Sequence, residues 1–150
     1  MALSLHVPDA SCAVRLAGIG QLALVSIGLL LPRILGWPAE FRRLSLLTRQ
    51  SCWAHFIYLL AGNATLAFVA IIAPDSLLGG DALAIAASLF AATYAASRLP
   101  LQFFVYDRGL THVDPWYKLG EAALLFVYMV MAAGYGFAAW VNLKGSIDLA

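Results

Sequence analysis

Long apolar runs alternate along this chain with short polar ones. The first run, about residues 13–36, contains "LAGIGQLALVSIGLLLP" and has no charge between Arg15 and Arg33. The second, about 50–73, contains no Lys, Arg, Asp or Glu, and His55 is its one group that titrates near neutral pH. The third, about 82–106, is uncharged until Arg98, and the fourth, about 119–142, carries Glu121 at its start and no charge after it. A helix rises about 1.5 Å per residue and the hydrocarbon core is about 30 Å thick, so roughly 20 apolar residues suffice to cross it. All four runs reach that length. They are continuous rather than alternating, which excludes the strands of a closed barrel, the other structure that satisfies its backbone in lipid. The pattern predicts an all-α, four-transmembrane-helix bundle, up-down-up-down, forming a single membrane domain over 1–150.

The polar connections agree with this division. "PDSLLGGD" at 74–81 is a short Pro/Gly/Asp turn that joins the second and third spans as an antiparallel hairpin, with Asp81 placed to cap the third. "GLTHVDPWYK" at 109–118 is a second short turn, in which Asp114 before Pro115 is placed to cap the fourth. The longer "GWPAEFRRLSLLTRQ" mixes Phe41, Leu44, Leu46 and Leu47 with arginines, which predicts an interfacial helix over 38–49. The N-terminus has no basic segment before the first apolar run and no cleavage site after it, so the first span is expected to be retained.

Composition places the chain in the membrane class. Of its 150 residues 63% are hydrophobic and 11% charged, and mean hydropathy is +0.85, whereas soluble domains are about 25% charged. A net charge of +1 offers no basic surface for nucleic acid. The distribution of that charge is more informative. Arg33, Arg42, Arg43, Arg49, Arg98, Arg108 and Lys118 fall on one face of the predicted bundle, while Arg15 and Lys144 fall on the other. The positive-inside rule then puts the 37–49 and 107–118 loops in the cytoplasm, both termini outside, and the protein in the cytoplasmic (inner) membrane. Trp37, Trp53, Trp116 and Trp140 lie at span ends, where indole rings favour the interface. Cys12 and Cys52 are expected at opposite faces and therefore unlinked.

The polar groups inside the spans are the candidate chemistry. Counted from the span ends, His55, Gln102 and Glu121 lie roughly 6–8 Å deep and Arg98 roughly 12 Å, so His55, Arg98, Gln102, Tyr106 and Glu121 form one candidate intramembrane cluster. Arg98, Gln102 and Tyr106 share a helix face at i, i+4, i+8. A charge at that depth requires a partner or water. Three readings of Arg98 follow: its stem snorkels to the headgroups past Pro100, it forms a clasp with Glu121, or it serves a substrate or proton site. A bis-histidine haem has no support, because His6 and His112 lie outside the spans, and no metal-ligand spacing occurs. No cofactor is called for. Gln21, Ser26, Asn63 and Thr65 are expected to hydrogen-bond between helices, and the small-xxx-small pairs Ala91/Ala95, Ala92/Ala96 and Gly134/Ala138 to pack them closely, within one bundle or between copies.

"LLPRILGW", "LTRQSCW", "APDSLLGGD" and "SRLPLQFFVYDR" together resemble a family of small bacterial four-helix integral membrane proteins, over about residues 16–145. The resemblance implies the same four-helix fold and brings no activity, cofactor or substrate with it. Motifs for nucleotide binding and for serine hydrolysis are missing: "GIGQLALVSIG" lies inside a span, not after a strand. The expectation is a multi-pass membrane protein that acts as a non-enzymatic accessory or interaction subunit, in contact with lipid and with a membrane-protein partner or a second copy. The alternative is a small transporter or membrane enzyme with an anionic or quinone-like ligand near His55, Arg98, Gln102 and Glu121.

Overall fold

A computed structural model describes residues 7–104 and 115–147, and among them are four long α-helices and one short one. Helix α1 spans Val7–Ile34, α2 Trp37–Phe41, α3 Leu46–Ile72, α4 Ala82–Phe104 and α5 Pro115–Ile147, with a 3₁₀ turn at Pro74–Leu77 between α3 and α4. The expected surface helix over 38–49 divides in two. Gly36, at φ 65°, turns the chain out of α1, α2 ends at Phe41, and Ser45 opens α3 by accepting a hydrogen bond from the Thr48 amide at 3.3 Å. The residues at 46–49 thereby become the first turn of the second long helix. Asp81 caps α4 as its position predicts, its carboxylate accepting from the Ala84 amide at 2.7 Å. Asp114 lies outside the described residues.

The burial pattern inverts that of a water-soluble bundle. Three of the four long helices turn a stripe of mostly small or polar residues inward. On α1 the stripe is Ala10, Val14, Ala17 and Gln21, on α4 Ala84, Ser88, Ala91 and Ala95, and on α5 Met131, Tyr135, Ala138 and Asn142. All three follow i, i+4, i+7, i+11, the spacing of one helix face. Large apolar side chains such as Leu29, Ile34, Phe68, Phe90 and Phe126 point outward. In water that arrangement would expose a large apolar surface, whereas in lipid it costs nothing, because the tails are as apolar as leucine.

Small inward residues let the helices approach closely. A Cβ at Gly134 would stand 2.7 Å from the Ala13 carbonyl oxygen and 2.8 Å from the Ala17 Cβ, and one at Gly18 would stand 2.8 Å from the Ala70 Cβ. Gly134 therefore sets the spacing of α5 on α1, and Gly18 that of α1 on α3. Helix α1 packs against α3 and α5, and α5 packs against α4. The lateral order is thus α3–α1–α5–α4, and the helices joined by the tight turn are not each other's main packing partners. The predicted hairpin is a connection rather than a packed pair.

Asn142 fastens that connection. Its Nδ2 donates to the Leu77 carbonyl at 2.8 Å and to Ser88 Oγ at 3.3 Å, and its Oδ1 accepts from the Gly80 amide at 3.1 Å. Ser11 adds a link from α1 to Asp75 at 3.1 Å. Asn142→Ala removes three bonds to buried or half-buried groups and is expected to destabilise the bundle by about 1–3 kcal/mol. The Gly80 amide should lose protection in hydrogen exchange; unchanged protection at Gly80 would show that the anchor is not made.

Candidate functional site

Near the middle of the bundle one chain of side-chain hydrogen bonds touches all four long helices. The Tyr135 hydroxyl, on α5, donates to Gln21 Oε1 on α1 at 2.5 Å, and Gln21 Nε2 donates to Asn63 Oδ1 on α3 at 3.0 Å. Asn63 Nδ2 donates both to the Leu59 carbonyl at 2.8 Å and to the Tyr94 hydroxyl on α4 at 3.2 Å. Arg98, one turn further along α4, donates from Nη2 to the same hydroxyl at 3.2 Å and lies 5.3 Å from the Tyr94 ring centroid. Gln21 and Tyr135 are almost fully buried, at 1% and 0% exposure. An unpaired amide in hydrocarbon costs several kcal/mol, which the chain avoids by closing on itself. Among the described residues no buried side-chain nitrogen or oxygen lacks a partner.

This geometry suits a brace better than a proton wire. Two carboxamides stand in series between the tyrosines, and an amide hands a proton on only by tautomerising. Each link instead fixes the rotation of one helix against the next. Of the residues expected to join helices, Gln21 and Asn63 do so, while Ser26 and Thr65 turn back to the carbonyls of Leu22 and Ala61 on their own helices.

Of the five cluster residues, the side chains of His55, Arg98 and Glu121 are described. Arg98 is half-buried and belongs to the chain just described. Glu121 is half-buried near the start of α5, and neither Arg98 nor Glu121 is an isolated charge. His55 is exposed on α3, its Nδ1 2.8 Å from the Ser51 carbonyl oxygen. It lines an open cavity of about 480 Å³ with Trp37, Phe41, Cys52, Phe56 and Leu59. Tyr106 and the side chain of Gln102 lie outside the described residues. No group of three or more His, Cys, Asp or Glu side chains converges among the described residues. Cys12 and Cys52 are free thiols.

Sequence reasoning missed Tyr94, Ser88, Tyr135 and Asn142. Tyr94 had a signal, since extending the 98/102/106 stripe back by four residues reaches it. Tyr135 had a weaker one, a phenol set among the alanines and glycines of "AAGYGFAA" at 132–139.

Among the described residues, four helices long and apolar enough to cross a bilayer, at Asp9–Ile34, Leu46–Ile72, Ala82–Leu101 and Lys118–Gly145, make the chain a multi-pass membrane protein of the all-α bundle class. No protein-family model, curated protein or solved structure matches it, so the family resemblance holds only at the level of four long apolar helices.

Proposed function

We propose that this protein is a non-enzymatic accessory or interaction subunit of a bacterial inner membrane, with both termini outside the cytoplasm. The observation that carries the reading is the closed Tyr135–Gln21–Asn63–Tyr94–Arg98 chain, in which the polar side chains at mid-bundle are spent on holding the helices together. A transport path or catalytic centre requires polar groups that face a substrate, and the role of this layer is cohesion. The orientation rests on the uneven split of basic residues between the two faces. In this reading Arg98 also clasps Glu121 and pins α4 to α5, which pack against each other.

A second reading draws on the half-buried charges of Arg98 and Glu121: a small transporter or membrane enzyme with an anionic or quinone-like ligand near His55, Arg98, Gln102 and Glu121. Purification in mild detergent followed by native mass spectrometry separates the two. The subunit reading expects a complex of fixed stoichiometry, with another protein or a second copy, and a clasp in which Arg98→Gln and Glu121→Gln each lower thermal stability while the double variant regains much of the loss. A solitary chain carrying a small molecule, whose stabilising effect vanishes in Arg98→Gln while the apo protein is unchanged, would establish the ligand reading instead.

A further inference from the structure

The cavity beside His55 has an aromatic wall, and three arginines lie close to its lining residues along the chain. Four rings form its frame: Trp37 stacks on Phe41 at 5.5 Å and meets Phe56 edge-on at 5.2 Å, while Trp53 closes the ring against Phe41 at 5.6 Å and Phe56 at 6.0 Å. This cluster holds the five-residue α2 against the first turns of α3. The space it frames is an open hollow of about 480 Å³. Its Cys52, Phe56 and Leu59 lie on one face of α3, and Arg49 continues that face one turn towards the helix start. Arg42 and Arg43 follow directly on the wall residue Phe41.

Those three arginines meet little negative charge. Arg43 has only an exposed contact with Glu40 at 3.7 Å, and Arg49, half-buried among exposed neighbours, forms no ion pair among the described residues. An apolar cavity at a span end, with Arg49 one turn before Cys52 and Arg42 and Arg43 next to Phe41, matches an amphiphile with a hydrocarbon chain and an anionic head. We infer that the α2–α3 corner is a binding site for one anionic phospholipid of the surrounding bilayer. An acyl chain lies against Trp37, Phe41, Phe56 and Leu59, and the phosphate diester lies on Arg49 with Arg42 and Arg43 beside it. Guanidinium suits this role because it stays charged and presents several donors in a fixed plane to phosphate oxygens. The site does not rest on the subunit reading, since none of its lining side chains or arginines belongs to the central hydrogen-bonded chain, which meets it only at the Leu59 carbonyl.

The test is native mass spectrometry of the delipidated full-length protein offered equal amounts of phosphatidylglycerol and phosphatidylcholine. One phosphatidylglycerol should be retained in preference. Each of Arg42→Gln, Arg43→Gln and Arg49→Gln should reduce that preference, by about fivefold for each surface arginine near a lipid headgroup. Cys52→Phe, which fills the cavity, should lower retention of both lipids alike. Inorganic phosphate at millimolar concentration should neither displace phosphatidylglycerol nor reproduce its effect on thermal stability. Equal retention of the two lipids by the native protein, a preference untouched in the triple arginine variant, or full competition by inorganic phosphate would each overturn the assignment. Because Arg42 and Arg43 are exposed and Arg49 is half-buried outside the core, the triple variant is expected to fold, and its unchanged helix content and retained phosphatidylcholine binding confirm that loss of preference is not loss of fold.

Discussion

Gly134→Leu is expected to be the most damaging single substitution in the protein. The first atom of the new side chain would already lie 2.7 Å from the Ala13 carbonyl oxygen and 2.8 Å from the Ala17 Cβ, and neither can swing aside, because one is backbone and the other is fixed to it. Even Gly134→Ala should cost about 1–3 kcal/mol as overpacking, despite the gain of about 1 kcal/mol in helix propensity. Leucine adds three more carbons to the same clash and should separate α1 from α5, the central pair of the α3–α1–α5–α4 order. Gly62 supplies the control, since a Cβ there meets nothing within 4 Å. Gly62→Ala should be neutral or slightly stabilising. Thermal unfolding in detergent, followed by tryptophan fluorescence, compares the three variants directly, and a Gly134→Leu midpoint equal to that of Gly62→Ala would mean that the two helices do not approach as described.

Gln21→Leu should have the second-largest effect. Gln21 is the hub of the central chain: losing its amide leaves the Tyr135 hydroxyl and Asn63 Oδ1 without their partner at a depth where water does not reach. Leaving buried groups unsatisfied costs about 1–3 kcal/mol, whereas an interhelical hydrogen bond in a membrane contributes only about 0.6 kcal/mol on average. The damage therefore comes mostly from the orphaned groups. It follows that Tyr135→Phe, added to Gln21→Leu, should recover part of the loss, and a double-mutant cycle should give a coupling above the roughly 0.5 kcal/mol seen for independent sites. Strict additivity would show that the two side chains do not share a bond.

Most of the secondary structure was open to reading because membrane spans announce themselves by length. An apolar run of more than about 20 residues has few other stable fates, and the ends carry turn and cap residues such as Asp81 whose chemistry is local. The boundaries were harder. Ser45 starts α3 several residues before the apolar run suggests, because a cap depends on a single backbone conformation that hydropathy does not register. The candidate site divided along the same line. Arg98, Gln21 and Asn63 are conspicuous in apolar surroundings, so their need for partners was evident from their desolvation cost. Which partners they take was not, since Tyr94 and Tyr135 pass as ordinary aromatic residues of a span until the helices are set side by side.

The sequence by itself determined the class of this protein, an all-α chain of four apolar helices, because the requirement that every backbone polar group be satisfied inside lipid leaves a continuous apolar run little choice but helix. Only the tertiary structure decided the lateral order. Chain connectivity pairs α3 with α4, but close packing goes where the smallest side chains meet, at Gly18 against Ala70 and at Gly134 against Ala13 and Ala17, so α1 and α5 form the centre and α3 and α4 the flanks. That order, in turn, brings Gln21, Asn63, Tyr94, Arg98 and Tyr135 from four helices into one hydrogen-bonded chain. Contacts made across four separate helices leave no periodic trace in any one of them.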